Sequence, residues 1–76
     1  MKAKNISHYN NGTFRGYRVT IMSRGAMYCK YISHRNYQNK EETMQAAIRC
    51  RDWLRAALLK RMNDTTIREN LKLKQF

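Results

Sequence analysis

Phe14-Arg15-Gly16-Tyr17-Arg18-Val19-Thr20-Ile21-Met22, followed by Ser23-Arg24-Gly25-Ala26 and then Met27-Tyr28-Cys29-Lys30-Tyr31-Ile32-Ser33, is the stretch on which the fold turns. Tyr17, Val19 and Ile21 alternate with Arg18 and Thr20. That period of two marks a strand with one buried face. Ser23 to Ala26 is a tight turn, and Met27 to Ser33 is a second β-prone run. The three segments predict a β-hairpin.

The register of that hairpin has two solutions. A loop of Arg24 and Gly25 alone pairs Ile21 with Tyr28 and puts Lys30 on the inner face. A one-residue bulge at Gly25 turns Met27, Cys29 and Tyr31 inward instead. The bulge is the expected register, because it removes a buried lysine.

Working outward, Asn5 to Tyr9 reads as a short edge strand, and Asn10-Asn11-Gly12 as a turn that tolerates positive φ. Residues 1–4 read as a basic, frayed start. Downstream lies the clearest element, a helix. Asn39 is its expected N-cap, with Glu42 three residues on as in a capping box. Glu41 and Glu42 suit the positive end of the helix dipole. Ala47, Cys50, Leu54, Ala57 and Leu58 share one helical face, flanked by Ala46 and Trp53 on one side and Met44 and Met62 on the other. Arg51 falls at the stripe's edge and must snorkel outward. Asn63-Asp64 breaks the helix. Thr66 and Glu69 cap a second short helix running to about Lys74, with Ile67 and Leu71 four apart. The expected class is α+β: a three-stranded antiparallel sheet packed on one amphipathic helix, with a short C-terminal helical extension. Residues 1–62 form the sheet-plus-helix domain and 63–76 the extension.

Charge narrows the function. The 76 residues hold 16 Lys and Arg against five Asp and Glu, a net charge of +11. Residues 1–40 carry Lys2, Lys4, Arg15, Arg18, Arg24, Lys30, Arg35 and Lys40 and no acid, so the first half has +8 and the second +3. Solubilising surfaces normally mix both signs, and so lopsided a charge implies a polyanionic partner. Catalysis is not expected. His8 and His34 are the only histidines, and His34-Arg35-Asn36 echoes a His–Asn nuclease site without its second metal-ligand histidine. Cys29, Cys50, His8 and His34 show no paired spacing for zinc, so no metal or cofactor is expected. Two cysteines make no disulfide framework, and the polar N-terminus lacks an apolar signal segment. The expected location is the cytoplasm of a bacterial host cell. No membrane partner is expected, since no run approaches the ~18 apolar residues of a spanning helix.

Gly16-Tyr17-Arg18-Val19-Thr20-Ile21, the tight turn, Tyr28-Cys29-Lys30-Tyr31-Ile32-Ser33, Tyr37-Gln38-Asn39-Lys40-Glu41-Glu42 and Ala46-Ala47-Ile48-Arg49-Cys50-Arg51-Asp52 follow one another in an order that resembles a known family. From Arg15 to Leu58 the chain resembles the ethylene-response-factor-type (apetala-type) DNA-binding domain in its bacterial and phage form. The resemblance implies a three-stranded sheet on one helix, with the exposed sheet face reading the DNA major groove. Ile32 stands where the family has Phe, Gln38 where it has Gly, and Thr43 where it has Ala. Asn5–Tyr9 lacks the arginines with which plant members contact bases. Arg18 matches an outward strand position, and Lys30 does so only in the bulged register.

The expected function is that of a small basic DNA-binding protein of a phage or mobile element, a transcriptional regulator or recombination accessory acting on double-stranded DNA. Its expected contact residues are Arg15, Arg18, Thr20, Arg24, Tyr28, Lys30 and Arg35, and its expected state is monomer or weak dimer. The alternative is a phage-encoded inhibitor that binds a host protein or nucleoprotein, such as a defence nuclease complex, through the same basic face. A third reading is RNA binding, with tyrosines stacked on unpaired bases.

Overall fold

In a computed structural model describing residues 4–76, three strands precede two helices. Residues 1–3, with the charge of Lys2, lie outside the described part. The strands are β1 (Ile6–Asn11), β2 (Phe14–Ser23) and β3 (Ala26–Ser33). A single 3-10 turn, His34–Asn36, leads to α1 (Lys40–Leu59), and α2 is Asp64–Leu73. The strands pair antiparallel in the order β1-β2-β3. The α+β architecture expected from the sequence is therefore the one observed.

The hairpin register is the first correction. Ser23 pairs with Ala26 and Ile21 with Tyr28, so the loop is Arg24 and Gly25 alone, without a bulge. Both loop residues have positive φ, 51° and 79°. A two-residue loop of that kind follows the right-handed twist of its strands. Tyr28 and Ile32 therefore face the helix and are buried. Lys30 shares their side, yet its ammonium escapes burial because β3 is an edge strand. Its stem runs along the apolar side and Nζ donates to the Lys72 carbonyl at 3.3 Å. That carbonyl lies in the last turn of α2, where backbone acceptors lack helical partners and cations are favoured. The penalty that favoured the bulge is thus avoided by snorkelling.

The first strand also runs longer than expected. Asn10 and Asn11 belong to β1 and pair with Arg15 and Phe14, so the turn is Gly12-Thr13. On β2, Gly16 passes so close to β3 that a Cβ there would lie 2.0 Å from the Ile32 carbonyl oxygen. Only glycine fits that position.

Helix α1 starts at its expected cap. Asn39 Oδ1 accepts from the Glu42 amide at 2.8 Å, while Glu42 Oε2 accepts from the Gln38 amide rather than from Asn39. The buried stripe is Thr43, Ala46, Ala47, Cys50, Leu54 and Ala57, whereas Leu58 is half-buried. Thr43 tolerates complete burial because its hydroxyl donates to the Asn39 carbonyl at 3.0 Å. Arg51 reaches outward to Asp52 and to the Lys4 carbonyl. Trp53 sits at the core's edge against Phe76. The helix ends in a Schellman motif: Met62 N–H bonds the Ala57 carbonyl and Arg61 N–H that of Leu58. Arg61 takes the left-handed φ of 56° that this motif requires.

Helix α2 is capped by Asn63, whose side chain accepts from the Thr65 amide at 2.8 Å, and not by Thr66. It docks through Ile67 and Leu71, both buried in the same core as the sheet and α1. The Tyr28 hydroxyl donates to Asp64 Oδ1 at 2.6 Å, tying its first turn to β3. The C-terminal helical extension thus docks on the sheet-plus-helix domain.

Leu54 is completely buried where α1 meets the sheet. Leu54→Ala is expected to cost about 2–4 kcal/mol through the smaller transfer energy and the cavity left behind. Chemical denaturation of parent and variant measures it, and unchanged stability would place the core elsewhere.

Candidate nucleic-acid interface

Alternation along each strand sends the residues of β2 and β3 to opposite sides. On the side away from the helices lie Ser7, Tyr9 and Asn11 of β1, Phe14, Arg18, Thr20 and Met22 of β2, and Met27, Cys29, Tyr31 and Ser33 of β3. Arg18 occupies the centre of this face, exposed and flanked across the strands by Ser7 and Tyr31. Thr20 follows it and donates to the Cys29 sulfur at 3.7 Å. A shallow hollow of ≈ 360 Å³ opens around Arg18, Thr20, Ser7 and Tyr31.

Beside Arg18 stands an aromatic cluster. Gly16 puts no side chain on this face, and the Tyr9 and Tyr31 rings meet across it from opposite edge strands at 5.0 Å. Phe14 packs edge-on against both at 5.8 Å. The Arg18 guanidinium lies 5.8 Å from the Tyr9 ring centre, within cation–π range. At the other end Met22 and Met27 pair directly across the strands, 71% and 55% exposed.

The seven expected contact residues are distributed in three ways. Arg18 and Thr20 lie on the open face. Arg24 and Arg35 are exposed at the ends of the sheet, in the β2–β3 turn and the 3-10 turn, whereas Arg15 is exposed but alternates with Phe14 and so shares the helix-side parity of Tyr17 and Val19. Tyr28 and Lys30 do not join them. Tyr28 is 5% exposed on the helix side with its hydroxyl committed to Asp64, and Lys30 leans toward α2. Both follow from the unbulged register, which also brings Tyr31 outward. Tyr9, Phe14 and Tyr31 join the face without having been expected there. Phe14 shares the parity of Arg18 along β2, a signal present in the sequence.

Electrostatically the sheet carries no carboxylate: all five acids of the chain occur after residue 40. They fall on α1 and α2. Among the described residues no cluster of three or more His, Cys, Asp or Glu could hold a metal ion. No helix there is long and apolar enough to cross a membrane. Burial pushes the Cys50 thiol up to about 11, so it stays protonated as a small core residue. The Tyr28 hydrogen bond and the Arg68 guanidinium hold the Asp64 carboxyl below its ordinary value.

No family model, curated protein or solved structure matches the chain.

One titratable group stands where the sheet meets the 3-10 turn. The Tyr17 ring lies edge-on between His8 and His34, at 4.7 and 5.3 Å. His34 Nδ1 is buried without a hydrogen-bond partner. Burial, and then the charges of Lys40 and His8, lower the His34 pKa. The folded state therefore favours neutral imidazole. This contribution to stability is complete above the ordinary histidine value of about 6.5 and is lost as pH falls through the lower folded value. Thermal melts between pH 7.5 and 5 are expected to show falling stability, with a shallower fall in His34→Phe, which keeps the ring contact. Equal slopes would remove His34 as the cause.

Proposed function

We propose that this chain binds duplex DNA through the open face of its sheet. The observation that carries the reading is a carboxylate-free face with Arg18 at its centre and Arg24 and Arg35 in the turns at its ends. Three strands span about 10 Å between the outer strand axes, against a major groove about 12 Å wide. An arginine projecting from the middle of such a sheet can bond a guanine edge in pairs, while rim arginines hold phosphates. Ser7 and Thr20 supply hydroxyls beside Arg18. The aromatic cluster gives a rigid apolar contact for sugar edges and thymine methyl groups. The resemblance to the ethylene-response-factor-type domain supports the same reading and makes a regulator or recombination accessory in a phage-infected bacterial cytoplasm the setting proposed for it.

The exposed Met22–Met27 pair favours a second reading. Methionines are soft, adaptable contacts on protein-binding surfaces, and neither side chain of the pair offers a donor to a base. A host protein with an acidic rim, or a nucleoprotein, is the partner that such a surface would suit, and the chain would then act as an inhibitor.

Binding to duplex DNA at increasing salt separates the two readings. Five to eight phosphate contacts give a log–log slope of roughly −4 to −7. Arg18→Ala is expected to lose about 1–3 kcal/mol, the value of a paired base contact. Lys60→Ala, an exposed charge at the end of α1, is expected to lose far less at about 0.15 M salt, where charges beyond roughly 8 Å are screened. Equal losses would mean diffuse attraction without groove reading. No binding to duplex DNA would leave the protein-partner reading.

A further inference from the structure

Helix α2 does more than close the core. Its buried residues, Ile67 and Leu71, fix it alongside the free edge of β3, and its next turn carries Lys72 toward that edge. Two adjoining hollows of ≈ 410 and ≈ 600 Å³ form one groove between strand and helix. Lys30, Tyr31 and Lys72 line both, and Ser33, Asn36 and Tyr37 continue the wall toward the 3-10 turn. No Asp or Glu side chain lines either hollow. Arg68 reaches the groove, but its guanidinium is paired with Asp64 at 3.1 Å. Lys30 gives one proton to the Lys72 carbonyl and keeps two for another acceptor. Lys72 makes no ion pair among the described residues.

Tyr31 belongs to both the groove and the open sheet face. A polyanion lying on that face would continue over the β3 edge into a channel lined by Lys30, Lys72 and, at its far end, Lys74, whose ammonium lies over the Trp53 ring, and by hydroxyl and amide groups. These bond phosphate oxygens without regard to sequence.

We propose that the groove between β3 and α2 is a phosphate track, in which Lys30 and Lys72 hold the sugar–phosphate backbone of the duplex whose bases face Arg18. The proposal rests on the sheet-face reading and makes the C-terminal helix part of the nucleic-acid interface.

The test compares two double variants of the full chain. Lys30→Met with Lys72→Gln removes the two charges assigned to the track, and methionine preserves the packed stem of Lys30. Lys60→Gln with Arg61→Asn removes two exposed charges at the end of α1, and asparagine tolerates the left-handed backbone of Arg61. Melting curves establish that both are folded. Fluorescence anisotropy with a random-sequence duplex is then read across a salt series.

The groove variant is expected to lower the magnitude of the log–log slope by about 1.8, or about 0.9 for each phosphate no longer neutralised. The control should leave the slope close to the parent's. Phosphate-ethylation interference should lose its signals beside the Arg18 contact only in the groove variant. If the two variants change slope and interference alike while Arg18→Ala still weakens binding, the phosphate track is wrong and the sheet-face reading stands. If the parent does not bind duplex DNA, both fall. Should the groove variant unfold, Lys72→Gln alone, whose side chain packs on nothing in the core, must lower the slope by about 0.9.

Discussion

The two-residue connection Arg24–Gly25 sets the pairing of β2 with β3, and most of the molecule follows from it. Because Ile21 opposes Tyr28, β3 turns Tyr28 and Ile32 toward the helices. Tyr28 then reaches Asp64 and Lys30 reaches the Lys72 carbonyl. These two contacts hold the first and last turns of α2, while Ile67 and Leu71 fill the space between. A register one residue different would exchange every side chain of β3 between the faces. It would bury Tyr31 and Cys29, remove both anchors of α2 and break the aromatic cluster on the open side.

The same register separates the chemistry of the two faces. Helices cover the side that carries the aliphatic core. The opposite side keeps one central arginine, hydroxyls, an aromatic cluster over Gly16 and a methionine pair. Acids are confined to the helices, where Glu41 and Glu42 favour the start of α1 and Asp64 the start of α2. A polyanion would therefore meet positive potential over the sheet and along the β3 edge. Of the carboxylates, Asp64 lines a hollow with Arg24 and Tyr28, where the Tyr28 hydroxyl and Arg68 engage it. That arrangement is what the proposed duplex complex requires, and the methionine pair is the one part of the face that a protein would use better.

Several features are legible in the sequence because they rest on local chemistry. The alternation of Tyr17, Val19 and Ile21 is the strand pattern, Asn39 and Glu42 mark a helix start, and Cys50, Leu54 and Ala57 recur at helical spacing. Thr43 is not legible as core, since its burial depends on a hydroxyl bonding back to the Asn39 carbonyl. Asn63 is hard to single out as the cap of α2 because Thr66 and Glu69 offer an equally good local pattern. In the candidate site, strand parity alone puts Arg18 and Thr20 on the open face. Tyr28 and Lys30 fall on the wrong side, and Tyr31 reads as core, because parity along β3 depends on the register.

Local chemistry suffices for the class of the fold, the order of its elements, the helix face that is buried and the segregation of charge, because each depends on residues near one another in the chain. Tertiary structure decided the hairpin register and the role of the last fourteen residues. Judged on β3 alone, Lys30 looks too costly to turn inward. The carbonyl that relieves that cost lies 42 residues away, at the end of a helix, and only the packing of α2 beside an edge strand brings the two together.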